Sequence, residues 1–267
     1  MDLESFNTSR ESLVPLLALN NKSNKNIIIF PTDKEAIEFS TDFSNLNKNI
    51  FHLPSWDTLS YDSFVPSFDI QGKRLEIAHL LLTNNNYNIA TSIKAISQRI
   101  YFEELEICKI ELNEEIDFDS LIENLIHLKY QRKDRVESKG SFAVRGGQLD
   151  VYPINYDLPL RVIFDGDLVN EIKTFDTISQ RSVSEKKDIL IVPATELFQI
   201  KHSDILNLSS NKKENLDDYE LFQYSQNLDL EKCLLDLTSN VSLHIVDKNI
   251  VDNQLKEIID IEKDTFE

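Results

Sequence analysis

Short apolar runs alternate with amphipathic stretches along the first hundred residues of the chain. Apolar runs at 26–31, 49–54 and 87–92 predict buried strands, and helical spacing at 32–43 and 70–84 predicts helices between them. Strands that alternate with helices in this way are typical of a parallel sheet covered by helices. The first helix is predicted from the apolar residues Ala36, Ile37 and Phe43, and the second from Leu75, Ala78 and Leu82. Asp69 is the expected N-cap of the second helix.

From about residue 106 the pattern changes to extended runs of period two, separated by turn residues. An amphipathic segment at 118–130 predicts one short helix, and Asp165-Gly166 is the dipeptide that a type I′ hairpin turn favours. These features predict a small, mainly antiparallel domain packed against a helix. The apolar residues that support it are Leu121, Leu125 and Leu128 along the helix and Leu160, Val162 and Phe164 on one strand face.

The changes in hydrophobic pattern indicate the boundaries between domains. An apolar run at 189–198 is predicted to return the chain to the first sheet, and residues 242–247 are the strongest strand candidate in the acidic final stretch. The sequence therefore predicts an α/β domain at 1–105, an inserted α+β domain at 106–186 and a return to the first domain at 187–267. A hydrophobic content of 41% over 267 residues is sufficient for both cores.

Three of the five glycines in the chain fall within the eight residues from Gly140 to Gly147. Apolar residues occupy even positions before Arg145-Gly146-Gly147 and odd positions after it, so the side-chain alternation changes phase there. An extra strand residue produces such a change, and the double glycine therefore predicts a β-bulge that aims Arg145 toward a partner. The alternative for Arg145 is an ordinary surface ion pair. Gly140, Gly146, Gly147 and Gly166 are interpreted as structural glycines.

The net charge and its distribution along the sequence restrict the kinds of molecule that the chain can bind. The chain carries 46 acidic and 28 basic residues, a net charge of −18, which excludes binding of a phosphate backbone by the whole surface. The segment 129–145, called the basic run below, has the opposite sign, with six basic and two acidic residues. A local field of this kind steers an acidic partner. Direct binding of duplex DNA through the basic run is a further hypothesis.

The sequence also disfavours several other classes of protein. Cys108 and Cys233 are isolated from each other and from any histidine cluster, which indicates a reducing compartment and no metal site. We find no signal peptide and no apolar run of about 18 residues, so a cytoplasmic protein without membrane contact is expected. The five histidines are scattered, and no carboxylate has a context that marks a catalytic pair.

An aromatic loop at 55–69 leaves two interpretations open. Its rings could stack on single-stranded DNA, although acidic neighbours would repel the phosphates. Packing in a core or between domains is the favoured interpretation, because aromatic residues contribute mainly buried area. The aromatic residues are Trp56, Tyr61, Phe64 and Phe68, and their acidic neighbours are Asp57, Asp62 and Asp69.

Three stretches together resemble a known family. They are LPSWDTLSYDSFVPSFDIQGKRL, GSFAVRGGQLDVYPI and LPLRVIFDGDLVNEIKTFDTISQRS, which begin at Leu53, Gly140 and Leu158. In order and spacing they resemble the UvrB-homologous, N-terminal module of bacterial transcription-repair coupling factors, a module that would cover nearly the whole chain. The resemblance implies a degenerate RecA-like domain 1a, an inserted domain 2 and a return through domain 1b, in a DNA-repair protein. We expect a monomer.

Domain 2 of this family recruits UvrA, the damage-recognition ATPase. The resemblance implies that particular residues of this chain have the same role. The family's UvrA-binding arginines fall on Arg145 and Arg161, both expected to point outward, with Lys173 in support. An aromatic contact of the family falls on Asp165. Because a carboxylate cannot replace the apolar contact of a ring, this part of the binding set departs from the family.

The rival interpretation is a nucleotide-dependent DNA helicase or translocase module similar to UvrB. Such a module needs a phosphate-binding loop of the form GxxxxGK[ST]. The first glycine here is Gly72, and GKR at 72–74 lacks both the preceding glycine and the following hydroxyl. We therefore expect a non-catalytic protein-binding module with no cofactor. In the family, ATP, DNA and RNA polymerase are bound by other parts of the full-length protein.

Overall fold

The protein folds into two compact units in the computed structural model, one built on a parallel sheet and the other on a mainly antiparallel sheet. The mixed α/β architecture expected from the sequence is confirmed. The structure describes residues 4–8, 24–45, 50–58, 64–84, 86–102, 104–200 and 232–266.

The described residues form the following elements. The helices are α1 (Asp33–Ser44), α2 (Phe68–Thr83), α3 (Ile93–Ser97), α4 (Phe118–His127) and α5 (Lys248–Phe266), with a 3₁₀ turn at Leu234–Leu237. The strands are β1 (Glu4–Thr8), β2 (Lys25–Phe30), β3 (Phe51–Leu53), β4 (Tyr87–Ser92), β5 (Cys108–Glu111), β6 (Gln131–Arg132), β7 (Ser141–Arg145), β8 (Gln148–Tyr152), β9 (Leu160–Asp165), β10 (Leu168–Phe175), β11 (Ser182–Glu185), β12 (Asp188–Ile191) and β13 (Ser242–Val246).

The first unit comprises the described parts of Met1–Pro66, Ile77–Ile100 and His202–Glu267. Its sheet is parallel throughout, in the order β1-β13-β2-β4-β3. The three strands predicted in the first hundred residues are present, and β13 confirms the strand predicted at 242–247. Strand β1 is an addition to the prediction and pairs along its whole length with β13.

Helix α1 begins with a capping box and covers the parallel sheet. The Thr32 hydroxyl accepts a hydrogen bond from the Glu35 backbone nitrogen, and the Glu35 carboxylate accepts one from the Thr32 backbone nitrogen, each at 3.3 Å. Ile37, which the spacing placed on the buried face, is 47% exposed. The core beneath the helix consists of Ile28, Phe30, Ala36, Phe39, Phe43, Ala90 and Val246.

The second unit comprises Ser67–Glu76 and Tyr101–Lys201. Its main sheet has six strands in the order β11-β10-β9-β8-β7-β6, and every neighbouring pair is antiparallel except β6 with β7. Asp117 is the N-cap of helix α4, and its carboxylate accepts a hydrogen bond from the Ser120 backbone nitrogen at 2.7 Å. The predicted apolar residues of this helix segment, Leu121, Leu125 and Leu128, are all buried.

Three details of the predictions for the run at 189–198 and for α2 are wrong. The run at 189–198 does not join the first sheet, because β12 pairs antiparallel with β5 and buries Ile189 and Ile191 within the second unit. Asp69 is not the N-cap of α2 but lies in its first turn, and Leu82 of the same helix is 47% exposed. The boundaries proposed at residues 105 and 186 stay a prediction.

The aromatic loop contains both buried and exposed rings. Trp56 is 7% exposed, which agrees with the favoured packing interpretation. Phe64 is 72% exposed and Phe68 is 43% exposed, so core packing is wrong for Phe64. The Phe68 ring lies against Gly140, where an added Cβ would be 3.2 Å from it. Tyr61 lies outside the described residues.

A buried ion pair fixes the beginning of α2 within the second unit. The Arg74 Nε atom donates to Glu196 Oε1 at 2.9 Å, and the two side chains are 1% and 5% exposed. Gly72 allows the helix to approach the chain closely here, because an added Cβ would lie 2.5 Å from the Ile154 carbonyl oxygen.

Replacement of Arg74 by methionine should lower the free energy of unfolding by about 3 to 5 kcal/mol, because the buried Glu196 carboxylate would lose its hydrogen-bonded counter-charge. The matched control is Lys109→Met, which breaks an ion pair with Glu111 whose side chains are 60% and 51% exposed. That change should cost less than about 1 kcal/mol. Urea denaturation of both variants measures the difference, and equal losses would contradict the stabilising role of the buried pair.

Candidate functional site

The double glycine forms the turn of a hairpin between β7 and β8. The strand register pairs Arg145 with Gln148, so Gly146 and Gly147 are the two turn residues. Gly146 has a φ of 61°, which glycine adopts without steric cost, and a Cβ on Gly147 would lie 2.8 Å from the Phe164 carbonyl oxygen. The predicted β-bulge is wrong. The alternation changes phase because the chain reverses, and cross-strand partners share a face.

The second hairpin joins β9 to β10, as the sequence predicted, with a turn one residue later than expected. Asp165 pairs with Leu168, so the turn consists of Gly166 and Asp167. A register shift does occur in this part of the sheet, but it lies in β10 between Val169 and Glu171. The extra residue therefore bends β10 rather than the strand that carries Arg145.

The four residues predicted to bind a partner lie on one face of this sheet, called the polar face below. The register aligns Lys173 with Arg161 and Arg161 with Asp150 on neighbouring strands. Alternation along β9 places Asp165 on the same face, and pairing with β8 places Arg145 there as well. The opposite face is the core, with buried Phe142, Leu149, Val151, Leu160, Val162 and Phe164.

Arg161 is held inward by an ion pair with Asp150. Its Nε and Nη2 atoms donate to the two carboxylate oxygens at 2.7 and 2.9 Å, and the Arg161 and Asp150 side chains are 16% and 5% exposed. The guanidinium carbon lies 4.5 Å from the centre of the Phe175 ring, and Nη1 donates to the Gln180 carbonyl at 3.3 Å. The hydrogen bonds to Asp150 raise the pKa of Arg161. The outward orientation expected of Arg161 is therefore wrong.

Arg145, in contrast, is exposed at the end of β7. Its Nη2 atom donates to the Asp134 carbonyl oxygen at 2.9 Å, which orients the side chain without neutralising its charge. Arg145, Arg132 and Lys133 line one open pocket, together with Asp134 and Val144. Three cations around a shallow pocket suit a carboxylate or phosphate group.

Several other basic residues have acidic partners. In the basic run, Lys139 is 16% exposed and donates to Asp69 at 2.5 Å, and the Arg135 Nε atom lies 3.6 Å from Glu137 Oε1. Lys173, outside the run, donates to Glu171 at 2.5 Å, and this hydrogen bond raises the pKa of Lys173. The residues of the basic run that line the pocket are Arg132, Lys133 and Arg145.

A family model described as the UvrB interaction domain matches residues 108–197. The match runs from β5 past β12 and contains Arg145, Arg161, Asp165 and Lys173. Residues 108–197 are thus similar to UvrB interaction domains. The polar face and the pocket beside Arg145 lie within these residues.

The chain is similar to transcription-repair-coupling factors of several bacteria. It is 29% identical to that of Escherichia coli K12 over 64% of this chain and 15% of the relative. With that of Bacillus subtilis 168 it shares 25% identity over 93% of this chain and 24% of the relative. The UvrABC system protein B of Thermosipho africanus is 23% identical over 74% of this chain and 32% of the relative. The chain thus spans at most about a third of the length of these relatives.

These similarities confirm the resemblance inferred from the three sequence stretches. Asp150 and Phe175, which hold Arg161, were not identified as site residues from the sequence. A signal for Asp150 was present, since an acidic residue at an outward position of a strand can pair with an arginine on the next strand. The stacking of Phe175 has no such signal, because it depends on the irregular end of β10, where the register with β11 shifts.

Within the described ranges, no group of three His, Cys, Asp or Glu side chains is placed to hold a metal ion. None of the helices in this part of the chain is both long and apolar enough to cross a membrane.

Alanine in place of Asp150 should destabilise the UvrB interaction domain by about 3 to 5 kcal/mol, because the Arg161 guanidinium would lose the acceptor of two charged hydrogen bonds. The control is Glu171→Ala, which removes the partner of Lys173 in a pair with side chains 25% and 40% exposed. It should cost less than about 1 kcal/mol. Differential scanning calorimetry should show a lower melting temperature for Asp150→Ala alone, and similar melting of both variants would contradict this account.

Proposed function

We propose that this chain is a non-catalytic protein-binding module of transcription-coupled DNA repair, which recruits UvrA through its UvrB interaction domain. The family match at 108–197 and the similarity to transcription-repair-coupling factors support the proposal. The observation that carries it is the exposed guanidinium of Arg145, at the tip of a hairpin and beside a pocket with two further cations. In a chain of net charge −18, this pocket provides a local site for acidic groups.

Arg145 and Arg161 have different roles in this proposal. Arg145 is exposed and contacts UvrA directly, whereas Arg161 acts by holding the polar face in place through its ion pair with Asp150. Lys173 lies next to Arg161 in the register and is paired with Glu171 on the same strand, so it supports this face as part of an ion pair. Asp165, in place of the family aromatic, lies exposed at the end of β9 beside the hairpin turn.

The proposal extends to the rest of the molecule. We propose a cytoplasmic monomer in which the unit with the parallel sheet is the RecA-like domain and the unit with the mainly antiparallel sheet is the UvrA-binding domain. The curated relatives are several times longer than this chain. Contacts with ATP, DNA and RNA polymerase are assigned to the other parts of such proteins.

The first test is binding of purified UvrA to the full chain, measured by calorimetry. Replacement of Arg145 by alanine should weaken binding by about 30-fold or more, since truncation of an interfacial charge costs about 2 kcal/mol or more when its partner carboxylate is left buried. The control Lys109→Ala removes an equal charge from β5, outside the polar face, and should bind like the wild type. Wild-type affinity in Arg145→Ala would exclude this binding site.

The second test distinguishes a binding module from a nucleotide-dependent translocase module. Asp33 begins α1 three residues after the end of β2. Its carboxylate accepts hydrogen bonds from the Ser92 hydroxyl at 2.9 Å and the Ser55 backbone nitrogen at 3.2 Å. The end of a parallel strand followed by a helix N-terminus is where α/β folds bind phosphate. A carboxylate in this position repels phosphate.

The full chain should therefore show no saturable binding of ATP in a filter assay, in either the presence or the absence of magnesium. UvrB from a related bacterium serves as the positive control, because the similarity of this chain to such proteins is what makes the alternative plausible. Saturable ATP binding by the chain would favour the translocase interpretation over the binding module.

A further inference from the structure

The loop Asp176–Arg181 presents a single apolar side chain to solvent. Ile178, in this loop between β10 and β11, is 87% exposed, the highest value among the exposed large apolar residues of the described chain. Exposure of one apolar side chain is common in proteins and carries no functional meaning by itself. The loop with Ile178 differs from other exposed segments in the hydrogen bonds that hold its backbone.

Two arginines fix the backbone of this loop. The Nη2 atom of Arg135 donates to the carbonyl oxygens of Thr177 and Ile178 at 3.0 and 3.3 Å. Nη1 of Arg161 donates to the Gln180 carbonyl at 3.3 Å. Three backbone carbonyls of the loop thus accept hydrogen bonds from two guanidinium groups, one of which belongs to the ion pair with Asp150.

The loop is also closed by its own hydrogen bonds. The Asp176 carboxylate accepts from the backbone nitrogen and the hydroxyl of Ser179, each at 2.7 Å, and these bonds lower the pKa of Asp176. The Asp176 carbonyl accepts from the Gln180 nitrogen at 2.8 Å, and the Asp176 nitrogen donates to the Arg181 carbonyl at 3.0 Å. A loop ordered in this way loses little conformational entropy when a partner binds its tip.

The loop is connected to the hairpin that carries Arg145. Arg145 donates to the carbonyl of Asp134, and the next residue in the chain is Arg135, which donates to the loop. The exposed arginine and the exposed isoleucine are therefore linked through two successive residues of the basic run. Arg161 is paired with Asp150, and the Arg135 Nε atom lies 3.6 Å from Glu137 Oε1. The positive charge that a partner of Ile178 must also satisfy is therefore that of Arg145 and the pocket beside it.

We infer that Ile178 is the apolar anchor of the docking surface, and that the partner offers an apolar pocket rimmed by carboxylates. The inference deepens the proposed function and rests on it, since UvrA is the partner named there. Anchors of this kind, apolar at the centre and ringed by charged groups, contribute much of the affinity of protein interfaces.

The test is calorimetric binding of the full chain to purified UvrA, with Ile178→Gln compared with Ile126→Gln. Ile126 is a matched control, because it is 53% exposed and lies on α4, which contributes no residue to this loop. Ile178→Gln should weaken binding by about tenfold or more, whereas Ile126→Gln should leave the affinity unchanged. Ile178→Leu should retain nearly wild-type affinity, since it keeps an apolar side chain of the same size.

The outcomes separate this inference from the proposed function. If Arg145→Ala weakens binding and Ile178→Gln does not, the anchor is overturned and the proposed function stands. If the wild-type chain does not bind UvrA at all, both are overturned. Thermal unfolding of Ile178→Gln should match the wild type, because the side chain is exposed, and equal stability with reduced affinity supports the anchor.

Discussion

The bidentate ion pair between Arg161 and Asp150 is the interaction on which the polar face depends. It joins β8 to β9, and the same guanidinium stacks on Phe175 and donates to the Gln180 carbonyl. Removal of two charges from water is costly, and a buried pair persists only where the geometry provides several hydrogen bonds to both partners. Gln148 provides two more, since its amide nitrogen lies 3.1 Å from each Asp150 oxygen. The pair also holds the Arg161 guanidinium where it donates to one carbonyl of the loop Asp176–Arg181.

The elements of the fold could largely be predicted from the sequence where the pattern was continuous. Strand β4 was predicted at 87–92, and the structure gives Tyr87–Ser92, because an apolar run bounded by polar residues has few alternatives. The neighbour with which a strand pairs could not be predicted in the same way. The run at 189–198 was correctly expected to include a strand, but its pairing with β5 depends on tertiary packing that no local pattern records.

The candidate site was predicted in part. The exposure of Arg145 followed from its place beside two glycines, although the reason was a hairpin turn and not a bulge, since both produce the same change of phase. The inward orientation of Arg161 could not be predicted, because it depends on the register that places Asp150 opposite it. Ile178 was likewise hidden, since its exposure is set by contacts from Arg135 and Arg161 that come from distant parts of the sequence.

The central claim is that UvrA docks on the polar face, between the hairpin turn at Gly146-Gly147 and the loop Asp176–Arg181. Hydrogen exchange of the full chain, measured by mass spectrometry with and without UvrA, tests it most directly, because it requires no substitution. The account predicts slower amide exchange in β7, β8 and the loop Asp176–Arg181 when UvrA is bound. Protection confined to the parallel sheet of the first unit, with unchanged exchange in these segments, would contradict it.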